Sequence, residues 1–129
     1  MDKPRILIAD DNEEMLFLFK EMLELDFDVV AAVHDGRELI NAFKNFKPDV
    51  SIVDINMPEM SGFDATRKII EEDLDARIIL LSAHKDRSLV EEGFSAGAKG
   101  FVLKLTANDD LVRAVNEINR GNIFVSPSL

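Results

Sequence analysis

The chain has 129 residues, 47% of them hydrophobic and 31% charged, which suits one soluble globular domain with a real core. Against 25 Asp and Glu stand 15 Lys and Arg, and the net charge of −10 argues against a nucleic-acid surface on this segment, since phosphate binding needs a clustered positive face. No cysteine is present, so disulfides, thiolate nucleophiles and thiolate metal sites are excluded as well.

Met1-Asp2-Lys3-Pro4 leads through Arg5 into the apolar run Ile6 to Ala9, which stops at Asp10. That run is too short for a signal peptide or a membrane span, so the chain reads as cytoplasmic with no membrane partner. It suits a first strand buried on both faces. Asp11 and Glu14 have capping-box spacing, and Met15, Leu18, Phe19, Met22 and Leu25 give a helix over roughly residues 13–25. Phe27 to Val33 reads as the second strand, broken by His34-Asp35-Gly36. Asp35 and Glu38 repeat the capping-box spacing before a helix through Leu39, Ala42, Phe43 and Phe46, which Pro48 ends.

Val50 to Val53 is the third strand and runs into Asp54, after which Asn56, Pro58 and Gly62 mark a loop. Phe63, Ala65, Ile69 and Ile70 make the third helix, running to about Asp73. Arg77 to Leu81 is the fourth strand, ending at Ser82; Leu89, Val90, Phe94 and Ala98 mark a fourth helix that Gly97 closes with a left-handed cap. Gly100 to Leu103 is the fifth strand, ending at Lys104, and Thr106 to Asp109 opens a last helix finished by Gly121. Five alternations of strand and helix imply an α/β fold: a doubly wound, five-stranded parallel sheet in a three-layer (βα)5 arrangement.

In such sheets ligands sit at the carboxyl ends of the strands. Those ends carry Asp10-Asp11, Asp54, Ser82 and Lys104. Asp10, Asp11 and Asp54 are hard oxygen donors suited to Mg²⁺, and three carboxylates in one cleft raise at least one pKa until a cation compensates. Asp54 reads as a nucleophile able to form an acyl phosphate, with Ser82 and Lys104 as partners for phosphoryl oxygens. Taken singly, each has a plainer explanation: Asp11 as a helix cap, Ser82 as a turn residue, Lys104 as a solvated charge. Asp54 is harder to dismiss, because an apolar strand precedes it and no capping role follows.

Asp10-Asp11, the segment Asp54-Ile55-Asn56-Met57-Pro58-Glu59-Met60-Ser61-Gly62, Ser82-Ala83, and Gly97-Ala98-Lys99-Gly100-Phe101 leading to Lys104 together resemble a receiver domain of two-component response regulators. The resemblance implies a CheY-like, flavodoxin-like fold. It implies Asp54 as phosphoacceptor, Asp10 and Asp11 as Mg²⁺ ligands with the backbone carbonyl of Asn56, Ser82 as switch hydroxyl, and Lys104 as the phosphoryl-binding lysine. It also implies Phe101 as an aromatic switch, and Asn56 and His84 as residues that tune access of water; a core aromatic and a surface turn histidine are the plainer alternatives. A sensor histidine kinase is the expected partner, a homodimer the expected product of phosphorylation, and catalysis beyond the domain's own phosphorylation and dephosphorylation is not expected.

Many receivers have Lys-Pro with a cis peptide where this chain has Lys104-Leu105; a cis peptide is expected here too, at a cost of ~3–4 kcal/mol without proline. Residues 1–121 read as the receiver, and 122–129 as a tail opening a linker. Gly121 to Leu129 resembles the end of receivers in NarL/LuxR-type regulators, which implies DNA contact only through a helix-turn-helix domain outside this chain. Two rivals are an aspartate-nucleophile phosphatase of the haloacid dehalogenase type and a docking module that works without phosphate. The phosphatase normally carries its Asp-x-Asp pair on the first strand, whereas the third strand here reads Asp54-Ile55-Asn56.

Overall fold

The computed structural model of the chain describes residues 3–129; Met1 and Asp2 lie outside it. The apolar runs, the third with Ser51 buried inside it, become the central strands β1 (Arg5–Ala9), β3 (Val50–Asp54), β4 (Ile78–Ser82) and β5 (Gly100–Leu103), buried almost throughout. The less apolar β2 (Asp28–Val33) is only half buried and takes an edge. Between them run α1 (Glu13–Leu23), α2 (Gly36–Phe46), α3 (Gly62–Glu72) and α4 (Arg87–Ala96), with α5 (Ala107–Asn119) after β5.

Among the described residues the sheet has six strands, not the five expected: Phe124–Val125 forms β6, parallel to β5 at the far edge. Part of the tail over residues 122–129 therefore lies on the sheet. The order is β2-β1-β3-β4-β5-β6, with every pairing parallel.

Alternation along the strands sends side chains to opposite faces. Ile6, Ile8, Ile52 and Leu81 pack with Leu16 and Phe19 of α1 and Leu111 and Val115 of α5. Leu7, Val53, Leu80 and Phe101 pack with Leu39 of α2, Phe63 and Ile69 of α3, and Phe94 of α4. This is the three-layer, doubly wound arrangement.

The caps show how local chemistry sets the helix starts. Asn12, not Asp11, caps α1: its side chain accepts the Met15 N–H at 3.1 Å. Asp35 caps α2 by accepting the Glu38 N–H at 2.8 Å, and the Glu38 carboxylate reaches the N–H of His34 instead of closing a full capping box. Gly97 ends α4 in the left-handed region at φ 110°, as the sequence implied.

From β1 the chain goes one way to β2, and β3 lies on β1's other side, so the order reverses between β1 and β3. The register Ala9↔Val53 brings Asp10 and Asp54 side by side as the two strands leave the sheet. The fold places its crevice between these acids.

Candidate functional site

Three strand ends close with the same local device. Asp10 Oδ1 accepts the N–H of Asn12 at 2.9 Å, Asp54 Oδ1 accepts the N–H of Asn56 at 3.1 Å, and Ser82 Oγ accepts the N–H of His84 at 3.0 Å. Each is a side chain reaching the backbone two residues on, the turn that Asp and Ser favour. Each turn ends its strand and keeps a polar side chain at the rim, although Asp10 and Ser82 are fully buried and Asp54 is 2% exposed.

The two acids keep their second oxygens for the crevice. Lys104 crosses from the end of β5, and its ammonium stands 3.0 Å from Asp54 Oδ2 and 3.1 Å from Asp10 Oδ2. The bond to Asp54 is a formed hydrogen bond, whereas Asp10 Oδ2 has ion-pair proximity without an aligned donor. Burial pushes the Asp54 carboxyl up from 3.8 to about 6, against the lowering effect of the Asn56 N–H and the Lys104 ammonium; the Asp10 charge adds to the rise. For Lys104, burial works against the charge, but the hydrogen bond and charge of Asp54, helped by Asp10, win and raise its pKa.

Asp10, Asp11 and Asp54 present carboxylate oxygens all within 4.8 Å of one another. Asp11 is exposed, on the solvent side of the two buried acids. A divalent oxygen-seeking cation fits this set: the donors are hard, they converge, and the buried Asp10 Oδ2 lacks an aligned partner.

Residues 6–116 match the response regulator receiver domain family. The chain belongs to that family. It is 34% identical to the transcriptional regulatory protein DegU of Brevibacillus brevis over 99% of this chain and 55% of that protein. It is 36% identical to the chemotaxis protein CheY of Thermotoga maritima over 90% of this chain and 98% of that one. This receiver thus spans about half of the first relative and nearly the whole of the second. Among solved structures it resembles a LuxR-family two-component response regulator from Aurantimonas sp. SI85-9A1 with a TM-score of 0.95 at 29% identity, covering 98% of this chain and 92% of that one. The signal receiver domain of the response regulator NarL from Mycobacterium tuberculosis gives a TM-score of 0.90 at 29% identity, covering 95% and 100%.

In this receiver Ser82 does not point its hydroxyl at the acids. Its Oγ donates to the His84 carbonyl at 3.0 Å as well as accepting that residue's N–H, while the His84 side chain is exposed. Phe101 is fully buried under α4, where Gly93 leaves room for its ring; a Cβ there would lie 3.2 Å from that ring. Asn56 is exposed, and what it brings to the acids is its N–H.

The Lys104-Leu105 peptide is trans, since the described residues contain no cis peptide bond; the expected cis geometry is corrected. A single 3₁₀ turn, Lys104–Thr106, redirects the chain instead, sending Leu105 out to 90% exposure while the lysine stem reaches the crevice. Sequence reasoning also missed Asn12, whose N–H orients Asp10; its signal was the Asp-x-Asn spacing that recurs at Asp54-Ile55-Asn56. Gly62 was read only as a loop marker, yet its N–H donates to the Ile55 carbonyl at 2.9 Å and its missing side chain leaves space for the Asp54 carbonyl.

Proposed function

We propose that Asp54 is the phosphoacceptor of this receiver and takes its phosphoryl group from a phosphohistidine on a sensor histidine kinase. The observation that carries the reading is the paired geometry of Asp54 Oδ2 and the Lys104 ammonium at 3.0 Å in a buried crevice. Asp54 Oδ2 attacks phosphorus as the P–N bond breaks, and the electron pair of that bond leaves with the imidazole. A carboxyl that titrates near 6 is still mostly ionised at neutral pH, so the nucleophile is available. Lys104 neutralises charge on the phosphoryl oxygens without moving far, which is positioning and electrostatic work of the kind phosphoryl transfer demands.

Mg²⁺ would be held by Asp10, Asp11, Asp54 and the Asn56 carbonyl. When bound, it supplies a positive charge that offsets the carboxylates and the incoming phosphoryl oxygens. The acyl phosphate then carries roughly two negative charges. Ser82 answers it by giving up its bonds to His84, and Phe101 and α4 repack, shifting a population between two packings of the α4, β5 and α5 face. Asn56 and His84, at the exposed rim, set how readily water reaches the product. The altered face supports a homodimer.

The output we infer is transcription control through a helix-turn-helix domain outside these residues, supported by the extra length of DegU and the likeness to LuxR-family structures. A cytoplasmic site of action fits this partnership; no helix among the described residues is long and apolar enough to cross a membrane. The deciding experiment labels the chain with acetyl phosphate or a kinase in Mg²⁺. Asp54→Ala is expected to abolish labelling, and equal labelling of the variant defeats the assignment.

A further inference from the structure

We propose that Ser126, acting with Asp110, is a positioning residue for Lys104, an inference that rests on the phosphoacceptor reading above. β6 follows β5 through backbone bonds from Phe124 N–H to the Lys99 carbonyl at 3.1 Å and from Ser126 N–H to the Phe101 carbonyl at 3.0 Å. There the backbone ladder stops, and a side chain carries it one step further. Ser126 Oγ accepts the N–H of Leu103, the residue before Lys104, at 3.1 Å.

The same hydroxyl donates to Asp110 Oδ2 at 2.8 Å, and that oxygen also accepts the Thr106 hydroxyl at 2.6 Å. Asp110 and Ser126 are 5% and 1% exposed. The network therefore grips the chain on both sides of Lys104, at Leu103 and at Thr106. The β4 ladder at Leu103 and the Ala107 N–H on the Lys104 carbonyl hold the backbone from the other side, but Leu105 projects into solvent, no proline stiffens the turn, and Thr106 makes no cap to α5.

The lysine stem has many rotamers, and its ammonium must sit within about 3 Å of two carboxylate oxygens at once. Its root must be held for that contact to persist. Removing the Ser126 hydroxyl leaves the buried Leu103 N–H without an acceptor and frees Asp110 to turn toward Thr106 alone. The ammonium then samples positions away from Asp54 and Asp10. An acid in the first turn of a helix and a serine before a proline have ordinary structural uses, so the test must read the lysine itself.

In the full chain with Mg²⁺, Ser126→Ala is expected to slow labelling of Asp54 by acetyl phosphate about five- to tenfold, the scale of one buried hydrogen bond. Ser126→Thr, which keeps the hydroxyl, restores the rate. A second readout needs no phosphoryl transfer: the ¹⁵N ammonium resonance of Lys104 is sharp in the wild type, broadens in Ser126→Ala and Asp110→Asn, and returns in Ser126→Thr. Wild-type labelling and a wild-type ammonium signal in Ser126→Ala overturn the proposal, even if that variant melts earlier. Should the wild type itself not be labelled, the phosphoacceptor reading fails and the ammonium signal alone judges the positioning role. Should Ser126→Ala not fold, Asp110→Asn, which keeps the side-chain shape, decides the question by the same two readouts.

Discussion

The acids and the serine at the crevice use one turn and end with different freedoms. Asp10 and Asp54 each spend one oxygen on the backbone two residues ahead and aim the other at Lys104. Ser82 has a single oxygen, and its hydroxyl proton goes to the His84 carbonyl. Each carboxylate thus keeps one oxygen at the crevice without giving up its turn. The serine has to break a bond before it can donate to anything new. One half of the crevice is preset, and the other is held back by a contact worth about 1 kcal/mol.

The largest test of that contrast removes the cation from the preset half. Lys104→Met leaves two buried carboxylate oxygens facing each other, and in chelator it is expected to cost about 3 kcal/mol in urea denaturation. Saturating Mg²⁺ should recover much of that loss, and a loss under about 1 kcal/mol would mean the lysine is not the compensating charge.

A second test uses pH. The folded chain keeps a proton on Asp54 up to about 6, whereas the unfolded chain releases it near 3.8. The folded pKa is raised, so this group's contribution is fully present below 3.8 and is lost as pH rises through about 6. In chelator the difference is roughly 2–3 kcal/mol between the two limits. Asp54→Asn is expected to flatten that part of the stability profile relative to wild type and to be the more stable protein at pH 7; matching profiles would remove the case for a desolvated Asp54.

Ser82→Ala is the smallest change. It frees the main chain at His84, which water can then solvate, and is expected to cost about 1 kcal/mol or less in the same denaturation assay. A cost above about 2 kcal/mol would show that Ser82 does more than close its turn, and would erase the distinction between the two halves.

Much of this was legible because each central strand is an apolar stretch, interrupted within β3 by the buried Ser51, that stops at a polar residue. Asp54 and Ser82 close β3 and β4, while Asp10 and Lys104 directly follow β1 and β5. Apolar runs report burial on both faces, and an abrupt polar stop reports the sheet's rim. The cap of α1 was misplaced by one residue because Asp11 and Asn12 are equally good caps in isolation; the bond from Asn12 N–H to Asp10 settles the register. β6 escaped notice since two residues, Phe124–Val125, show no period. The trans peptide at Leu105 and the Ser126–Asp110 bond depend on what lies across space, and a pair 16 positions apart in unrelated elements leaves no spacing signal.

The loop after Asp54 has a consequence for how such a domain can be varied. Ile55 and Gly62 are tied to each other at its base, and Gly62 lies so near the Asp54 carbonyl that no side chain fits there. The residues between them, including Glu59 with its left-handed φ of 67°, form a nearly closed ring hung from one clasp. Inside the ring, Asn56 holds the Asp54 carboxylate, Met57 is buried against the core and Ser61 caps α3 by accepting the Asp64 N–H at 3.1 Å, so only the exposed tip at Pro58 and Glu59 is free of α3 and β3. The tip can therefore vary at little cost to the sheet beneath it, whereas its two flanks are tied to the fold.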